Sequence, residues 1–117
     1  MWMATKIGFY SIVETKNNHI QIRARCKQDL ENLQNAWDVD TRLEMWKIIK
    51  TVRADYRYRI VIPRRIFEEH WGRFVDMITY GNFKDAVGKT NKRREQLYHQ
   101  VWWLLRQIEA EDEGEDE

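Results

Sequence analysis

Residues 56–63 read Tyr-Arg-Tyr-Arg-Ile-Val-Ile-Pro, the most regular alternation in the chain. The apolar face carries Tyr56, Tyr58, Ile60 and Ile62, and the opposite face carries Arg57, Arg59 and Val61. A period of two residues is typical of a half-buried β-strand. Pro63 ends the strand, because proline cannot donate to the hydrogen-bond ladder, and it suits the start of a helix. The segment therefore predicts a strand over residues 56–62 followed by a helix.

A second alternating segment, residues 19–26, predicts a hairpin with the strand before it. Residues 6–13 (Lys-Ile-Gly-Phe-Tyr-Ser-Ile-Val) are rich in β-branched and aromatic residues and favour a strand. Lys-Asn-Asn at 16–18 indicates a turn. In the second segment Arg23 and Arg25 face one way, and the other face is apolar: Ile20, Ile22, Ala24 and Cys26. An antiparallel pair joined by this turn is expected.

Helical spacing of apolar residues predicts helices over 28–37, 64–79 and 91–109. Residues 41–53 are ambiguous: Thr41 and Glu44 fit a capping box, whereas the β-branched run from Ile48 favours a strand, which we place from about Trp46.

The resulting ββαββαα order predicts an α+β fold with two layers. We expect a four-stranded antiparallel sheet with the helices on one face, among them those containing Trp71 and Trp102.

The charge of the chain is divided along its length. All 20 Lys and Arg residues precede Glu109, and residues 109–117 hold seven carboxylates in nine positions. Residues 1–108 carry 20 basic and 12 acidic side chains, a net charge of +8. We predict a single domain over 1–108 and a disordered acidic tail over 109–117, which has nothing to bury. A basic body indicates an anionic partner, with the tail as its competitor.

Cysteine content and apolar run length suggest a cytoplasmic protein without membrane association. The single cysteine, Cys26, excludes an internal disulfide, as is common in a reducing cytosol. The first residues contain no long apolar stretch, so no signal peptide is expected. The longest apolar run, residues 101–105, is far too short to span a bilayer.

The first candidate binding surface is the outer face of the sheet, with Arg23, Arg25, Arg57 and Arg59. Lys6 and Tyr10 join it if Ile7, Phe9 and Val13 point inward. Guanidinium groups bind phosphate bidentately, and aromatic rings accept stacked bases, so nucleic acid is the first partner to consider. The alternative is an ordinary solvated sheet face, where arginine and tyrosine are common.

The second candidate surface lies at the start of the last helix, where Lys92, Arg93 and Arg94 follow Lys89. Basic residues there oppose the helix macrodipole, so local stability does not explain them. Helix N-termini bind anions through their free N–H groups. The alternatives are a solubility patch or a docking site for the acidic tail.

Catalytic and metal motifs are missing from the sequence. His19, His70 and His99 lack any ligand spacing, so we expect no metal, and we expect no cofactor and assign no catalytic residues. Acid–base chemistry by Tyr80, Lys84 and Asp85 is the one enzymatic alternative. A pocket lined by these residues and a histidine would favour it.

Trp102 and Trp103 cannot both face a core, because neighbours on a helix lie about 100° apart. One of them should lie near the surface or in an interface, where tryptophan is enriched. The alternative is a wide helix face between the sheet and the preceding helix.

The leading prediction is a non-enzymatic module that binds nucleic acid or another polyanion. The alternative is a protein-interaction or regulatory domain that self-associates as a homodimer.

Several segments resemble a family of small bacterial hypothetical proteins. They are residues 6–13, Arg-Ala-Arg-x-x-x-Asp-Leu-Glu-Asn-Leu at 23–33, Ala-Asp-Tyr-Arg-Tyr-Arg at 54–59, Asn-Phe-Lys-Asp-x-Val at 82–87 and Tyr-x-x-Val-Trp at 98–102. The similarity covers most of the body but not the tail. The resemblance implies a self-contained bacterial domain in which these segments form one fold, and it implies no activity.

Overall fold

The computed structural model describes residues 1–115 of the chain, with side chains through Asp112. The chain forms two compact units, Met1–Thr79 and Tyr80–Glu117. The predicted domain over 1–108 spans both units, and its unity stays a prediction.

The first unit is built on a five-stranded antiparallel sheet in the order β1-β2-β3-β5-β4. The strands are β1 (Trp2–Ala4), β2 (Phe9–Thr15), β3 (His19–Ala24), β4 (Ile49–Lys50) and β5 (Tyr58–Pro63). The predicted α+β class and antiparallel sheet are confirmed, but the count of four strands is wrong. The additional strand, β1, has only three residues and is too short to display alternation in the sequence.

Two helices, α1 (Lys27–Ala36) and α2 (Arg64–Asp76), pack on the same face of this sheet. That face is buried at Ile20, Ile22, Ile60 and Ile62, as the alternation predicts. The helices contribute Leu30, Leu33, Phe74 and Met77 to the same core. Trp37, just after α1, lies at its centre, with ring centroids 5.2 Å from Phe74 and 6.3 Å from Trp46.

The predicted hairpin between β2 and β3 is present. Asn17 and Asn18 adopt left-handed φ angles of 58° and 56°, and the His19 N–H donates to the Lys16 carbonyl at 3.3 Å. Asparagine tolerates this conformation, which matches the twist of a tight hairpin. The turn sets the register in which Ile12 pairs with Ile22.

The condition under which Tyr10 would join the outer face of the sheet, with Phe9 and Val13 pointing inward, is not met. Tyr10 and Ile12 are buried on the core face, and Phe9 and Val13 lie on the opposite face. The cause is tertiary: the buried Asp29 of α1 accepts a hydrogen bond from the Phe9 N–H at 3.0 Å, and its carbonyl accepts one from the Tyr10 hydroxyl at 2.6 Å. Tyr10 therefore does not lie on the outer face of the sheet with the arginines.

Residues 5–8 form a turn that shortens the predicted strand. The Thr5 hydroxyl donates to the Gly8 carbonyl at 2.9 Å and accepts from the Gly8 N–H at 3.1 Å. Lys6 lies in this turn and donates to the Thr79 hydroxyl at 2.9 Å, so it also lies outside the sheet face.

The ambiguous residues 41–53 contain both a 3₁₀ turn (Glu44–Trp46) and the short strand β4. Trp46 is buried, and its carbonyl accepts from the Gln34 side chain at 2.5 Å. A strand in this region is thus confirmed, although it is brief.

The second unit contains α3 (Phe83–Gly88), α4 (Lys92–Leu105) and α5 (Gln107–Glu115). Asparagine side chains cap the first two helices: Asn82 accepts from the Asp85 N–H at 3.0 Å and Asn91 from the Arg94 N–H at 2.9 Å. Arg106 separates α4 from α5 but keeps helical angles, with φ −58° and ψ −21°. The predicted last helix over 91–109 corresponds to α4 and the start of α5, and its packing on the sheet stays a prediction.

The acidic tail coincides with α5, although residues 116–117 lie outside the described part of the chain. Residues 109–112 are exposed. A nine-residue helix is marginal in water, and acidic residues oppose the macrodipole at a helix C-terminus. Disorder of the tail in solution therefore stays a prediction. Across residues 1–115, no helix combines the length and apolarity that a membrane span requires.

Candidate binding surfaces

The face of the sheet opposite the core lacks acidic residues at its outward strand positions. These positions are Trp2, Ala4, Phe9, Ser11, Val13, Thr15, His19, Gln21, Arg23, Ile49, Arg59, Val61 and Pro63. Arg23 and Arg59 are direct partners across β3 and β5. Because like charges directly opposite each other destabilise a strand pair, this pair needs other support.

Hydrogen bonds within the sheet provide that support. Arg23 Nη2 donates to Ser11 Oγ at 2.6 Å, and Arg59 Nη1 donates to Gln21 Oε1 at 3.1 Å. Arg59 Nη2 also donates to the Tyr56 carbonyl at 3.1 Å. Arg59 Nε is buried and has no hydrogen-bond partner among the described residues. Arg59 therefore stabilises the fold through these hydrogen bonds, in addition to placing a charge on this face.

Arg25 and Arg57 lie just outside the strands, since β3 ends at Ala24 and β5 begins at Tyr58. The guanidinium carbons of Arg25 and Arg23 lie 4.4 Å and 4.7 Å from the centroid of the Tyr56 ring, within cation–π range. Arg25 also donates to the Asp55 carbonyl at 3.1 Å.

Arg57 is exposed, and its carbonyl accepts from the Thr51 N–H at 2.7 Å, which extends the β4–β5 ladder by one pair. The structure thus gathers Arg23, Arg25 and Arg59 around Tyr56, with Arg57 next to it in the chain. We call these five residues the arginine cluster. Its role in binding anions stays a prediction.

The second predicted surface, which we call the basic end, consists of Lys92, Arg93 and Arg94 at the start of α4. Lys92 and Arg93 are exposed, whereas Arg94 is half-buried and its Nη1 lies 3.4 Å from the Tyr98 hydroxyl. Because the Asn91 side chain already accepts from the Arg94 N–H, one of the free backbone donors of this terminus is satisfied.

An open cleft of about 540 Å³ lies between α3 and α4. It is lined by Lys84, Asp85, Glu95, Gln96, His99 and Gln100. Lys84 and Asp85 of the predicted acid–base group are therefore joined by a histidine, but Tyr80 is not among the lining residues; its ring lies 5.7 Å from Phe83.

The Lys84 ammonium lies 3.1 Å from His99 Nδ1 and 4.4 Å from the centroid of the Trp102 ring. This arrangement supports no named reaction. The described residues contain no group of three or more His, Cys, Asp or Glu side chains that could hold a metal ion.

The structure exposes an apolar surface on α4 and α5 that is wider than the single tryptophan predicted to lie near the surface, since Trp102 and Trp103 are 46% and 59% exposed. Four residues form what we call the α4 stripe: Leu97, Val101, Leu104 and Ile108, which are 37%, 45%, 62% and 57% exposed. Trp102, Trp103 and Leu105 of α4 are also exposed. The spacing of the stripe is visible in the sequence, but its exposure is a tertiary property that periodicity does not reveal.

Helix α3 packs on a different side of α4. The Phe83 ring stacks on Tyr98 with centroids 5.4 Å apart, and Lys84 contacts His99 and Trp102. At about 100° per residue, His99 and Trp102 point away from the α4 stripe, and Tyr98 lies at its side. Within the second unit, α3 therefore leaves the α4 stripe uncovered.

No family model, curated protein or solved structure matches the chain. The resemblance to small bacterial proteins therefore stays a prediction.

Proposed function

We propose that this chain is a non-enzymatic protein-interaction module that binds through the apolar surface of α4. The observation that carries the proposal is the exposure of seven large apolar side chains between Leu97 and Ile108. Soluble monomers rarely expose a contiguous apolar patch of this kind, and such patches mark interaction sites. A helix that is apolar on all sides, as at residues 101–105, is normally buried.

Covering this surface would contribute a favourable free energy to association. Full burial of a large apolar side chain contributes about 1.5 to 3 kcal/mol. The four residues of the α4 stripe are each roughly half exposed, so covering them would contribute about 3 to 6 kcal/mol before the cost of association. The flanking Leu105 adds to this sum.

The test compares two substitutions at equally exposed apolar positions. Leu104→Asp alters the α4 stripe, and Val52→Asp is the control, since their side chains are 62% and 64% exposed. The immobilised full chain and both variants are exposed to a bacterial lysate and to the untagged chain, and captured proteins are identified by mass spectrometry. We expect Leu104→Asp to lose at least 10-fold of the captured partner and Val52→Asp to retain it. Equal capture by all three proteins would overturn the proposal.

A second candidate function is polyanion binding, with nucleic acid first, at the arginine cluster. The observation that favours it is the pairing of Arg23 with Arg59 on a face whose outward strand positions hold no carboxylate. The exposed Arg25 and Arg57 would then supply phosphate contacts, and Tyr56 supplies an aromatic platform for them.

Arg25→Ala combined with Arg57→Ala tests this candidate. Arg65→Ala, at an exposed position on α2, is the matched control. Each lost phosphate contact should lower the salt-dependence slope by about 0.9 on duplex and about 0.7 on single strands. Arg59 is left intact, because its buried hydrogen bonds support the sheet. A wild-type chain that does not bind nucleic acid at about 50 mM salt excludes this candidate.

A further inference from the structure

We infer that the partner of the α4 stripe is a second copy of this chain, packed antiparallel along α4 and α5. The inference rests on the proposed function, because it identifies the occupant of the same surface. Three features of the described residues support it: the spacing of the stripe, the distribution of charge along the helices, and the side of α4 that α3 leaves open.

The α4 stripe has the spacing of a coiled-coil seam. Successive members are four, three and four residues apart, which is the alternation of a and d positions in a heptad. In an antiparallel pair centred between Trp102 and Trp103, Leu97 meets Ile108 of the second copy and Val101 meets its Leu104. The two-fold symmetry repeats each of these two contacts, which gives four apolar layers. Every residue of the stripe then has a partner in the second copy.

The charges on either side of the stripe fit the same register. Three residues outward from Leu97 and Ile108, Arg94 lies beside Glu111 of the second copy, and four residues outward Arg93 lies beside its Asp112. The basic end of each copy thus meets the acidic end of the other. A parallel pair would instead place the two basic ends together and the two acidic ends together, which like-charge repulsion disfavours.

The direction of this charge gradient is unfavourable for an isolated helix. Cations near an N-terminus and anions near a C-terminus both oppose the macrodipole. Local helix stability therefore explains neither the basic end nor the acidic residues that begin at Glu109. An antiparallel neighbour neutralises both ends at once. The Arg106 N–H donates to the Trp102 carbonyl at 3.2 Å and Arg106 keeps helical angles, with φ −58° and ψ −21°, so the backbone stays helical where α4 meets α5.

Charge reversal tests the register without changing the apolar stripe. One variant carries Arg93→Glu and Arg94→Glu, another carries Glu111→Lys and Asp112→Lys, and a third carries all four substitutions. Self-association of the full-length chain is measured by sedimentation equilibrium at low salt. Either reversal alone places like charges at both ends of the pair, and should weaken dimerisation about 10-fold or more. The chain with all four substitutions should return to within about threefold of wild type.

Loss of helix cannot produce this pattern. Each single reversal makes the charges favourable to the macrodipole, so circular dichroism should report unchanged or increased helicity. Leu104→Asp should abolish the dimer, and Val52→Asp should leave it intact.

Two results would overturn the inference: a purified wild-type chain that stays monomeric up to about 500 µM, or a fourfold variant that stays as weak as either reversal alone. Wild type that remains monomeric but sediments with anionic phospholipid vesicles would also overturn it, since a lipid surface would then be the occupant. The proposed function fails separately. A monomeric chain that still captures another protein, and loses it on Leu104→Asp, rejects the second copy but retains the interaction module.

Discussion

The two units use the same kind of apolar spacing in opposite ways. In the first unit, Leu30 and Leu33 of α1 are buried against the isoleucine face of the sheet. In the second unit, Leu104 and Ile108 repeat at helical spacing and remain more than half exposed. Periodicity identifies which face of an element is apolar but not what covers that face. In one unit the cover is a sheet of the same chain, and in the other we infer a second molecule.

The largest expected effect comes from the same deletion made in both units. Leu33→Ala removes a side chain that is 1% exposed, and should lower the free energy of unfolding by about 2 to 5 kcal/mol. Leu104→Ala removes one that is 62% exposed, and should change it by less than about 0.5 kcal/mol in dilute solution. Urea denaturation followed by tryptophan fluorescence measures both.

If Leu104→Ala destabilised the dilute chain as much as Leu33→Ala does, the stripe would belong to the folding core. The contrast between the units would then be lost. A loss of stability that appears only at high protein concentration would instead favour self-association, because dissociation of a dimer depends on concentration.

Local features of the fold were predictable from the sequence. The Asn17–Asn18 turn and the alternation around Ile22 and Ile60 depend on neighbouring residues, and the structure confirms them. The face of β2 was not predictable, because Asp29 of α1, distant in sequence, accepts the Phe9 N–H and thereby sets it. β1 was missed since three residues carry no periodic signal.

The candidate sites follow the same rule. The heptad spacing of Leu97, Val101 and Leu104 is present in the sequence, but the exposure of these residues depends on where α3 packs. Likewise, alternation predicts that Arg23 and Arg59 share a face, whereas the contacts of Arg23 and Arg25 with the ring of Tyr56 depend on a loop that alternation does not describe.

The next largest change in the free energy of unfolding is expected from alanine substitution of two glycines, one in each unit. Gly8 has rigid, buried neighbours, whereas Gly88 faces a flexible side chain. A Cβ added at Gly8 would lie 2.6 Å from the Tyr10 hydroxyl oxygen and 2.8 Å from Asp29 Cγ, both in buried residues. Gly8→Ala should therefore cost about 1 to 3 kcal/mol. A Cβ at Gly88 would meet only the carboxylate end of Glu95, a flexible side chain that can rotate away.

Gly88→Ala should stay within about 1 kcal/mol of wild type, since alanine also favours the helix. Thermal unfolding of the two variants under one buffer condition measures the difference. Equal destabilisation by both substitutions would mean that Glu95 is held as firmly as the Asp29 cluster, contrary to the comparison.

Deletion of residues 109–117 should have a smaller effect on stability and a clear effect on charge. It leaves a chain of net charge +8, so retention on a polyanion column should rise at low salt. The charge of the tail acts on the body over distances within the Debye length, which is about 10 Å at 0.1 M salt. The melting temperature should change little, because residues 109–112 are exposed. The same deletion should weaken the antiparallel dimer. Unchanged retention and unchanged sedimentation would identify the tail as a solubility segment.

The smallest effect concerns charges that are paired locally rather than with a partner. In the loop after α1, the Arg42 side chain donates to Asp40 from Nε at 2.9 Å and from Nη2 at 3.0 Å. These side-chain bonds, together with the bond from the Arg42 backbone N–H, lower the pKa of Asp40 below its ordinary value. Arg42→Ala should therefore raise the pKa of Asp40, which an NMR titration of its carboxyl carbon measures.

The pH dependence has a definite sign. A carboxyl whose pKa is lowered in the folded state stabilises that state above its unfolded pKa, and this contribution disappears as the pH falls through the folded value. The free energy of unfolding of wild type should thus be slightly larger than that of Arg42→Ala at neutral pH. The two values should become equal in acid, below the folded pKa of Asp40. Because the pair is exposed and local, the substitution should leave self-association unchanged. Weaker dimerisation of Arg42→Ala would show that charge outside α4 and α5 also contributes to the interface, and the contrast between local and intermolecular pairing would fail.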